Sequence, residues 1–428
     1  MNKDAITDSV DESPTSMADA QPLSIEVIAP TDVPNTLKGW LAITSIVLVA
    51  IDLRPGIVSI GSILPAIREE FGLSHAGASL LTTIPDLLMG LLALPTPWLA
   101  KRFGRDKVIL AALVLLSGST LGRAFAPNTP IVLLATAGVG AGIAIAGALI
   151  AGFIKANFPT RAAVLMGIYA TALSFGSTIS AAATGPIAQM APRGWRFASG
   201  SWSLLGVTAI LAWGVVTFHE RRLKPTNATA PPHVPLPLRN RTAWLVALFF
   251  ALNNFLFYAL LAWTAPMSRE YGKSPAFAGL LLASFTAAFM FGNPVFGALS
   301  KAHDRRGWLA VCALLTAAGL VPLAIAPNLA PFLWVPLAAF GLGGGFTLGM
   351  TLPLDNTHSV HEANVWNAFV LTVGYLVAAA GPLMMGALRD ATGTFLLPIW
   401  ILVILTGAML ALTPLLQPHK RSTAVPVD

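Results

Sequence analysis

Apolar residues fill most of the chain in long stretches that short polar segments separate. Twelve such stretches have the length of a bilayer crossing, about 20 residues in a helix. They begin near Lys38, Gly77, Val108, Thr129, Ala162, Phe197, Thr242, Phe277, Trp308, Leu329, Asn364 and Phe395. The pattern predicts an all-α polytopic membrane protein with twelve transmembrane helices.

The composition supports this fold class and excludes several functions. Of the 428 residues, 55% are hydrophobic and 11% are charged, and the mean hydropathy is +0.72. A soluble domain carries about 25% charged residues, so a soluble globular enzyme is excluded. The single cysteine, Cys312, lies in an apolar run, which rules out an internal disulfide and a cysteine-based metal site. We expect no metal and no cofactor, because the cluster of His358, His361 and Glu362 is assigned to a solvated cytoplasmic loop.

The net charge of +7 comes from basic residues that lie between the apolar runs. Because the number of runs is even, both termini are predicted on one side of the membrane. The loops on that side hold most of the basic residues, from Lys101, Arg102, Arg105 and Lys107 through Arg221, Arg222 and Lys224 to Lys301, Arg305 and Arg306. The opposite loops hold only Arg68, Arg123, Arg193, Arg196, Arg269, Lys273 and Arg389. Such loops are typical of the cytoplasmic side, so both termini are predicted to be cytoplasmic. The basic loops suit anionic lipid and indicate no nucleic-acid partner.

Composition shifts predict five regions. Residues 1–37 are polar and acidic and are predicted to form a disordered cytoplasmic tail. A first six-helix half, 38–218, precedes a proline-rich and charged cytoplasmic linker, 219–241. The second six-helix half is 242–417, and 418–428 form a second cytoplasmic tail.

The two halves repeat each other. Pro65-Ala-Ile-Arg-Glu-Glu-Phe-Gly72 returns as Pro266-Met-Ser-Arg-Glu-Tyr-Gly272, and glycine-rich stretches recur in the fourth and tenth runs. With six spans each, the halves run parallel about an axis along the membrane normal. This is the architecture of the major facilitator fold.

Specific segments resemble the cyanate and 2-nitroimidazole porter family of the major facilitator superfamily, and the cyanate-transporter branch in particular. These segments are Asp52–Pro55, Leu80–Pro85, Gly341–Phe346, Val373–Leu376, Leu354-Asp355 and His303–Arg306. The resemblance implies a secondary transporter, not an enzyme, in the bacterial cytoplasmic (inner) membrane. It also implies a cytoplasmic gate in the loops that hold Arg102, Gly104, Arg105 and Arg305.

Arg54 is the leading candidate for a substrate-binding residue. Counting from Trp40 at about 1.5 Å per residue places it about 21 Å into the first span. A charge at this depth is costly and marks a functional site by default. The planar guanidinium suits a small anion, although a structural ion pair is the alternative.

Two carboxylates are candidates for proton coupling or for an ion pair with Arg54. Asp52 is two residues away and does not share its helix face. Asp86 lies about 14 Å into an antiparallel span by the same rise, so it is predicted to reach the depth of Arg54. Either carboxylate could carry a proton, or Asp86 could only hold Arg54 in place.

Uncharged polar and aromatic residues complete the predicted cavity. Each could instead serve only in packing between helices. For Trp263 the alternative to substrate binding is an anchor at the membrane interface. They are Asn253, Asn254, Tyr258, Trp263, Asn293, Asn367, Tyr375 and Tyr169.

The predicted function is secondary transport of a small, cyanate-like anion by alternating access, with proton linkage as an option. Export of a small heteroaromatic compound such as 2-nitroimidazole is the alternative. A membrane-embedded enzyme is disfavoured because the loops are short, and a receptor is disfavoured because the acidic tail is too short for a folded domain. We expect a monomer in the lipid bilayer.

Overall fold

The computed structural model of the protein describes residues 39–158, 162–191, 194–220, 235–300, 304–357 and 360–417. All of these lie in one compact unit, Leu37–Asp428. Both predicted tails, residues 221–234 of the predicted linker and His358 fall outside the described residues.

The described residues up to Glu220 form nine helices. These are α1 (Gly39–Asp52), α2 (Pro55–Phe71), α3 (His75–Ala93), α4 (Thr96–Phe103), α5 (Arg105–Ala124), α6 (Thr129–Asn157), α7 (Ala162–Met190), α8 (Gly194–Ser201) and α9 (Ser203–Glu220).

The described residues from 235 onward form seven helices and a short 3₁₀ turn at Thr413–Leu415. The helices are α10 (Arg241–Glu270), α11 (Pro275–Leu299), α12 (Arg306–Ile325), α13 (Pro331–Asp355), α14 (Val360–Ala378), α15 (Ala380–Thr392) and α16 (Leu396–Leu412).

Twelve segments of the described chain are long and apolar enough to cross a bilayer, and those residues contain no strand. The predicted all-α fold with twelve transmembrane helices is confirmed. Three spans consist of two consecutive helices: α1 with α2, α8 with α9, and α14 with α15. Several spans begin at a side-chain cap, for example Ser74, which accepts the Gly77 N–H, and Ser274, which accepts the Phe277 N–H.

Glycines bring the spans into backbone contact. A Cβ on Gly140 of α6 would lie 2.5 Å from the Cα of Pro85 on α3, and one on Gly343 of α13 would lie 2.3 Å from the Phe289 carbonyl oxygen on α11. Helices in lipid gain much of their association energy from such close packing. The glycine-rich runs are therefore packing surfaces in the fourth and tenth spans.

The spans end at two opposite faces of the bundle, which we name after one residue of each. The His75 face holds the turns at 72–74, 125–128, 271–274, 326–330 and 393–395. The Arg102 face holds the turns at 104, 235–240, 304–305 and 356–357. Because the sequence predicts basic cytoplasmic loops, the Arg102 face corresponds to the predicted cytoplasmic side.

Candidate substrate site

A break in the first span positions Arg54. Pro55 has no N–H to donate, so α1 ends at Asp52 and α2 starts with Pro55 at its first position. Leu53 and Arg54 form the turn between the two helices, and Arg54 remains partly exposed within the bundle. The break thus presents a guanidinium in the middle of a span.

Three of the four tyrosines of the chain lie near the Arg54 guanidinium. Tyr258, Tyr375 and Tyr169 all lie close enough to it for electrostatic interaction. The rings of Tyr258 and Tyr375 are 6.1 Å apart between centroids. These side chains come from α10, α14 and α7, so residues of both predicted halves meet around one cation.

Asp86 on α3 lies near this cluster. Its side chain is fully buried, and neither of its carboxylate oxygens has a hydrogen-bond partner. No hydrogen-bonded ion pair therefore joins Asp86 to Arg54. The Oδ2 atom of Asp52, at the end of α1, is likewise buried without a partner.

The predicted amides of the second half mostly join helices. Asn253 donates to the Leu342 carbonyl on α13 at 3.2 Å, although its Oδ1 stays unpartnered. Asn254 donates to the Phe250 carbonyl of its own helix at 2.8 Å. Asn293 on α11 accepts a 2.6 Å hydrogen bond from Thr347 on α13. These contacts fit the packing role that the sequence leaves open.

The remaining two predicted residues lie in different surroundings. The Asn367 Oδ1 on α14 is buried and has no hydrogen-bond partner. Trp263 is buried near the His75 face, where its Nε1 donates to the Pro382 carbonyl at 2.9 Å and its ring lies 5.7 Å from the His75 ring. Trp263 is therefore part of that face rather than of the Arg54 cluster.

The predicted gate residues lie on the Arg102 face. Gly104 joins α4 to α5 with a φ of +89°, a conformation that favours glycine. Arg105 stacks over Phe153 at 4.7 Å, and Arg102 stacks over Trp98 at 5.4 Å. Arg305 forms a 2.6 Å ion pair with Asp355.

A charged cluster on the His75 face is absent from the sequence-based predictions. His75 lies 2.6 Å from Asp390 and 2.8 Å from Glu270, and Glu270 also pairs with Arg389 at 2.8 Å. Its members are far apart in the chain, and the one sequence signal is the Arg-Glu dipeptide in each copy of the repeated motif. The cluster borders a cavity of about 200 Å³ lined by Leu64, Pro65, Arg68, His75, Trp263, Pro266, Arg269 and Glu270.

Three residues differ from what the sequence suggests. Counted by pattern as a loop residue, Arg123 is fully buried in the last turn of α5, where its Nη1 donates to the Gly56 carbonyl at 2.9 Å. The Nε and Nη2 atoms of Arg123 have no partner. His361 and Glu362, expected in a loop, lie in the first turn of α14.

The fold and this central polar cluster define a class of protein: a helical membrane carrier with a charged site enclosed by its spans. The chain belongs to the Major Facilitator Superfamily, whose family model matches residues 46–266 and 243–427. Proteins of this superfamily are transporters rather than enzymes.

Curated relatives match most of the chain. The cyanate transport protein CynX of Escherichia coli is 30% identical over 352 residues, which cover 82% of this chain and 91% of the relative. A 2-nitroimidazole transporter of Escherichia coli is 31% identical over 370 residues, which cover 86% of this chain and 93% of the relative.

Solved structures share the fold at lower identity. A bacterial homologue of the human lysosomal transporter Spinster aligns with a TM-score of 0.72 at 19% identity, covering 88% of this chain and 95% of that one. The D-xylose-proton symporter aligns with a TM-score of 0.68 at 14% identity, covering 87% of this chain and 96% of that one.

Proposed function

We propose that this transporter moves a small, cyanate-like anion across the bacterial inner membrane by alternating access, with Arg54 as the anion anchor. The observation that carries the proposal is the position of Arg54, an incompletely buried residue at the turn between α1 and α2 with Tyr258, Tyr375 and Tyr169 near its charge. Guanidinium and phenol groups are hydrogen-bond donors, and a small anion offers only acceptors. The similarity to a cyanate transport protein supports the same substrate class.

The broader mechanism extends this proposal. The halves 38–218 and 242–417 rock around the Arg54 cluster, exposing it at the His75 face and then at the Arg102 face. We place the Arg102 face and both termini in the cytoplasm, with Arg102, Gly104, Arg105 and Arg305 in the gate of that side. The carrier works as a monomer because each chain contains its own pathway.

A second candidate function is export of a small heteroaromatic compound. Phe257 stacks on Phe285 at 5.5 Å and lies 4.3 Å from Phe289, and its ring also contacts Tyr258 at 5.1 Å. This aromatic group adjoins the Arg54 cluster and suits a flat ring. The similarity to a 2-nitroimidazole transporter favours the same alternative.

Uptake into proteoliposomes tests the anion proposal. Labelled cyanate, a panel of other small anions and 2-nitroimidazole are offered to wild type, Arg54→Ala, Arg54→Lys and the control Arg306→Ala. We expect saturable anion uptake that falls at least 100-fold in Arg54→Ala and about tenfold in Arg54→Lys, which keeps the charge but loses the planar fork. Arg306, which pairs with Asp304 at the surface, should be replaceable without loss.

Two results would contradict the proposal. Anion uptake that is unchanged in Arg54→Ala would make the arginine structural. Movement of neutral compounds alone would favour export of a heteroaromatic substrate.

A further inference from the structure

The His75 face is held together by one histidine ring. His75 begins α3, and its Nδ1 lies 2.6 Å from Asp390 Oδ1 on α15 while its Nε2 lies 2.8 Å from Glu270 Oε1 on α10. These contacts tie a helix of the first predicted half to two helices of the second. A single side chain thus bridges the halves at this end of the bundle.

Both ring nitrogens of His75 face carboxylate oxygens, which accept hydrogen bonds and do not donate them when ionised. A neutral imidazole has one N–H, whereas an imidazolium has two. Only the protonated ring can therefore donate to Asp390 and Glu270 at the same time. The arrangement is complete when His75 carries a proton.

The other charged groups around His75 give its neutral form a different partner. Arg68 on α2 contacts both ring nitrogens, with its Nη1 3.0 Å from Nδ1, and its guanidinium donates only to a nitrogen that carries no proton, so the imidazolium gives up this hydrogen bond. Glu270 stays paired with Arg389, at 2.8 Å, whether His75 is protonated or neutral. Asp390 keeps the backbone N–H groups of His75 and Ala76, at 2.9 and 2.8 Å. Loss of the proton therefore breaks the bond between His75 and Glu270 and leaves the others satisfied.

The site has room for protons to arrive. The cavity of about 200 Å³ reaches His75, Arg68 and Glu270, so water can approach the ring. On its other side the ring packs against Trp263 at 5.7 Å and Phe395 at 6.4 Å, which fixes its position. The ring is therefore oriented by apolar neighbours and open to the cavity.

We propose that His75 is a proton-binding site whose occupancy closes the His75 face and whose deprotonation releases it. The proton exchanges the partner of one ring nitrogen, from Arg68 in the neutral form to Glu270 in the charged form. Access from this face is thereby tied to the pH outside that face, independently of any proton on Asp86 or Asp52. This inference rests on the alternating access of the proposed function but not on the substrate.

A distance measurement tests the proposal without transport. Spin labels are attached to Phe125→Cys and Leu329→Cys, two exposed positions in different turns of the His75 face, in a Cys312→Ser background. Double electron–electron resonance in nanodiscs is recorded from pH 5.5 to 8.5. We expect one short distance at low pH and a longer one whose population grows at least threefold at high pH.

Variants with fixed charge sharpen the test. His75→Gln cannot carry a proton and should show the long distance at every pH, whereas His75→Lys stays charged and should show the short one. Glu270→Gln removes the carboxylate that accepts the second N–H of protonated His75, so it should also lose the pH dependence. This variant keeps the test valid if a His75 variant misfolds. Lys273→Gln removes a nearby charge outside the bridge and should behave as wild type.

Two outcomes would overturn the proposal: a wild-type distance that does not respond to pH, or a pH response that survives in His75→Gln or Glu270→Gln. A pH-dependent distance without anion uptake would leave the His75 proposal standing and reject the proposed substrate instead.

Discussion

The first and seventh spans occupy equivalent places in the two repeats, but they are built differently. The first, Gly39–Phe71, is broken before Pro55 and carries Arg54 in the break. The seventh, Arg241–Glu270, is one unbroken helix that carries Asn253, Asn254 and Tyr258. Within the apolar 18-residue stretch of each span, 83% of the seventh is buried inside the protein, compared with 61% of the first.

We propose that this difference divides the binding task between the two halves. The first span loses a backbone hydrogen bond at Pro55, and Arg54 lies in the turn that this leaves. The continuous span contributes a phenol to the same cluster and anchors the second half through its buried surface. We infer that the first span supplies the charge of the site and that the seventh supplies its fixed, buried side.

The largest effect is expected where α7 packs on the break. A Cβ on Gly176 would lie 2.3 Å from the Ile51 carbonyl oxygen, which is backbone and cannot turn aside. Gly176→Ala should destabilise the protein by about 1–3 kcal/mol or prevent its folding. Thermal unfolding in detergent measures the change.

The matched control for Gly176 lies beside the seventh span. A Cβ on Gly374 would meet the Phe250 ring at 2.5 Å, and a side chain can move. Gly374→Ala should therefore cost clearly less than Gly176→Ala. Equal losses would mean that the break is not the more constrained region.

A smaller effect is expected from restoring the missing N–H in the first span. Pro55→Ala allows α1 and α2 to join into one helix, which moves Arg54 away from Tyr258. We expect the KM for uptake to rise about fivefold while the maximal rate and the amount of folded protein stay near wild type. Pro322→Ala, inside the unbroken α12, serves as the control and should leave the KM unchanged. An unaltered KM in Pro55→Ala would show that Arg54 does not depend on the break.

The smallest effect is expected from Asp86, the buried carboxylate of α3. Asp86 is buried and unpartnered, so Asp86→Asn should preserve folding and change the maximal uptake rate less than threefold. If Asp86 carries the coupled proton, the variant loses the stimulation of uptake by an inward proton gradient. Uptake of a labelled anion with and without that gradient measures this, and full stimulation in Asp86→Asn would remove Asp86 from the coupling scheme.

The sequence predicted the twelve spans because the bilayer forces long apolar helices, whatever their contacts. Arg54 could be singled out as a candidate because a charge deep inside an apolar run is costly, whereas its place in a turn between two helices is visible only in the structure. The His75 cluster was not, because residues 75, 270 and 390 look like ordinary charges at span ends and only the folded chain brings them together. Arg123 was misjudged for a related reason: a charge at the end of an apolar run is counted with the loop, yet its side chain turns inward.

The unequal span lengths described above have a consequence for bilayer thickness. The 19-residue span His75–Ala93 rises about 28 Å, close to the hydrocarbon thickness of a typical bilayer at about 30 Å. The 33-residue first span must tilt or extend beyond the hydrocarbon. Thick bilayers should therefore strain the short span that begins with His75, so acyl-chain length is a variable to be controlled in any reconstitution.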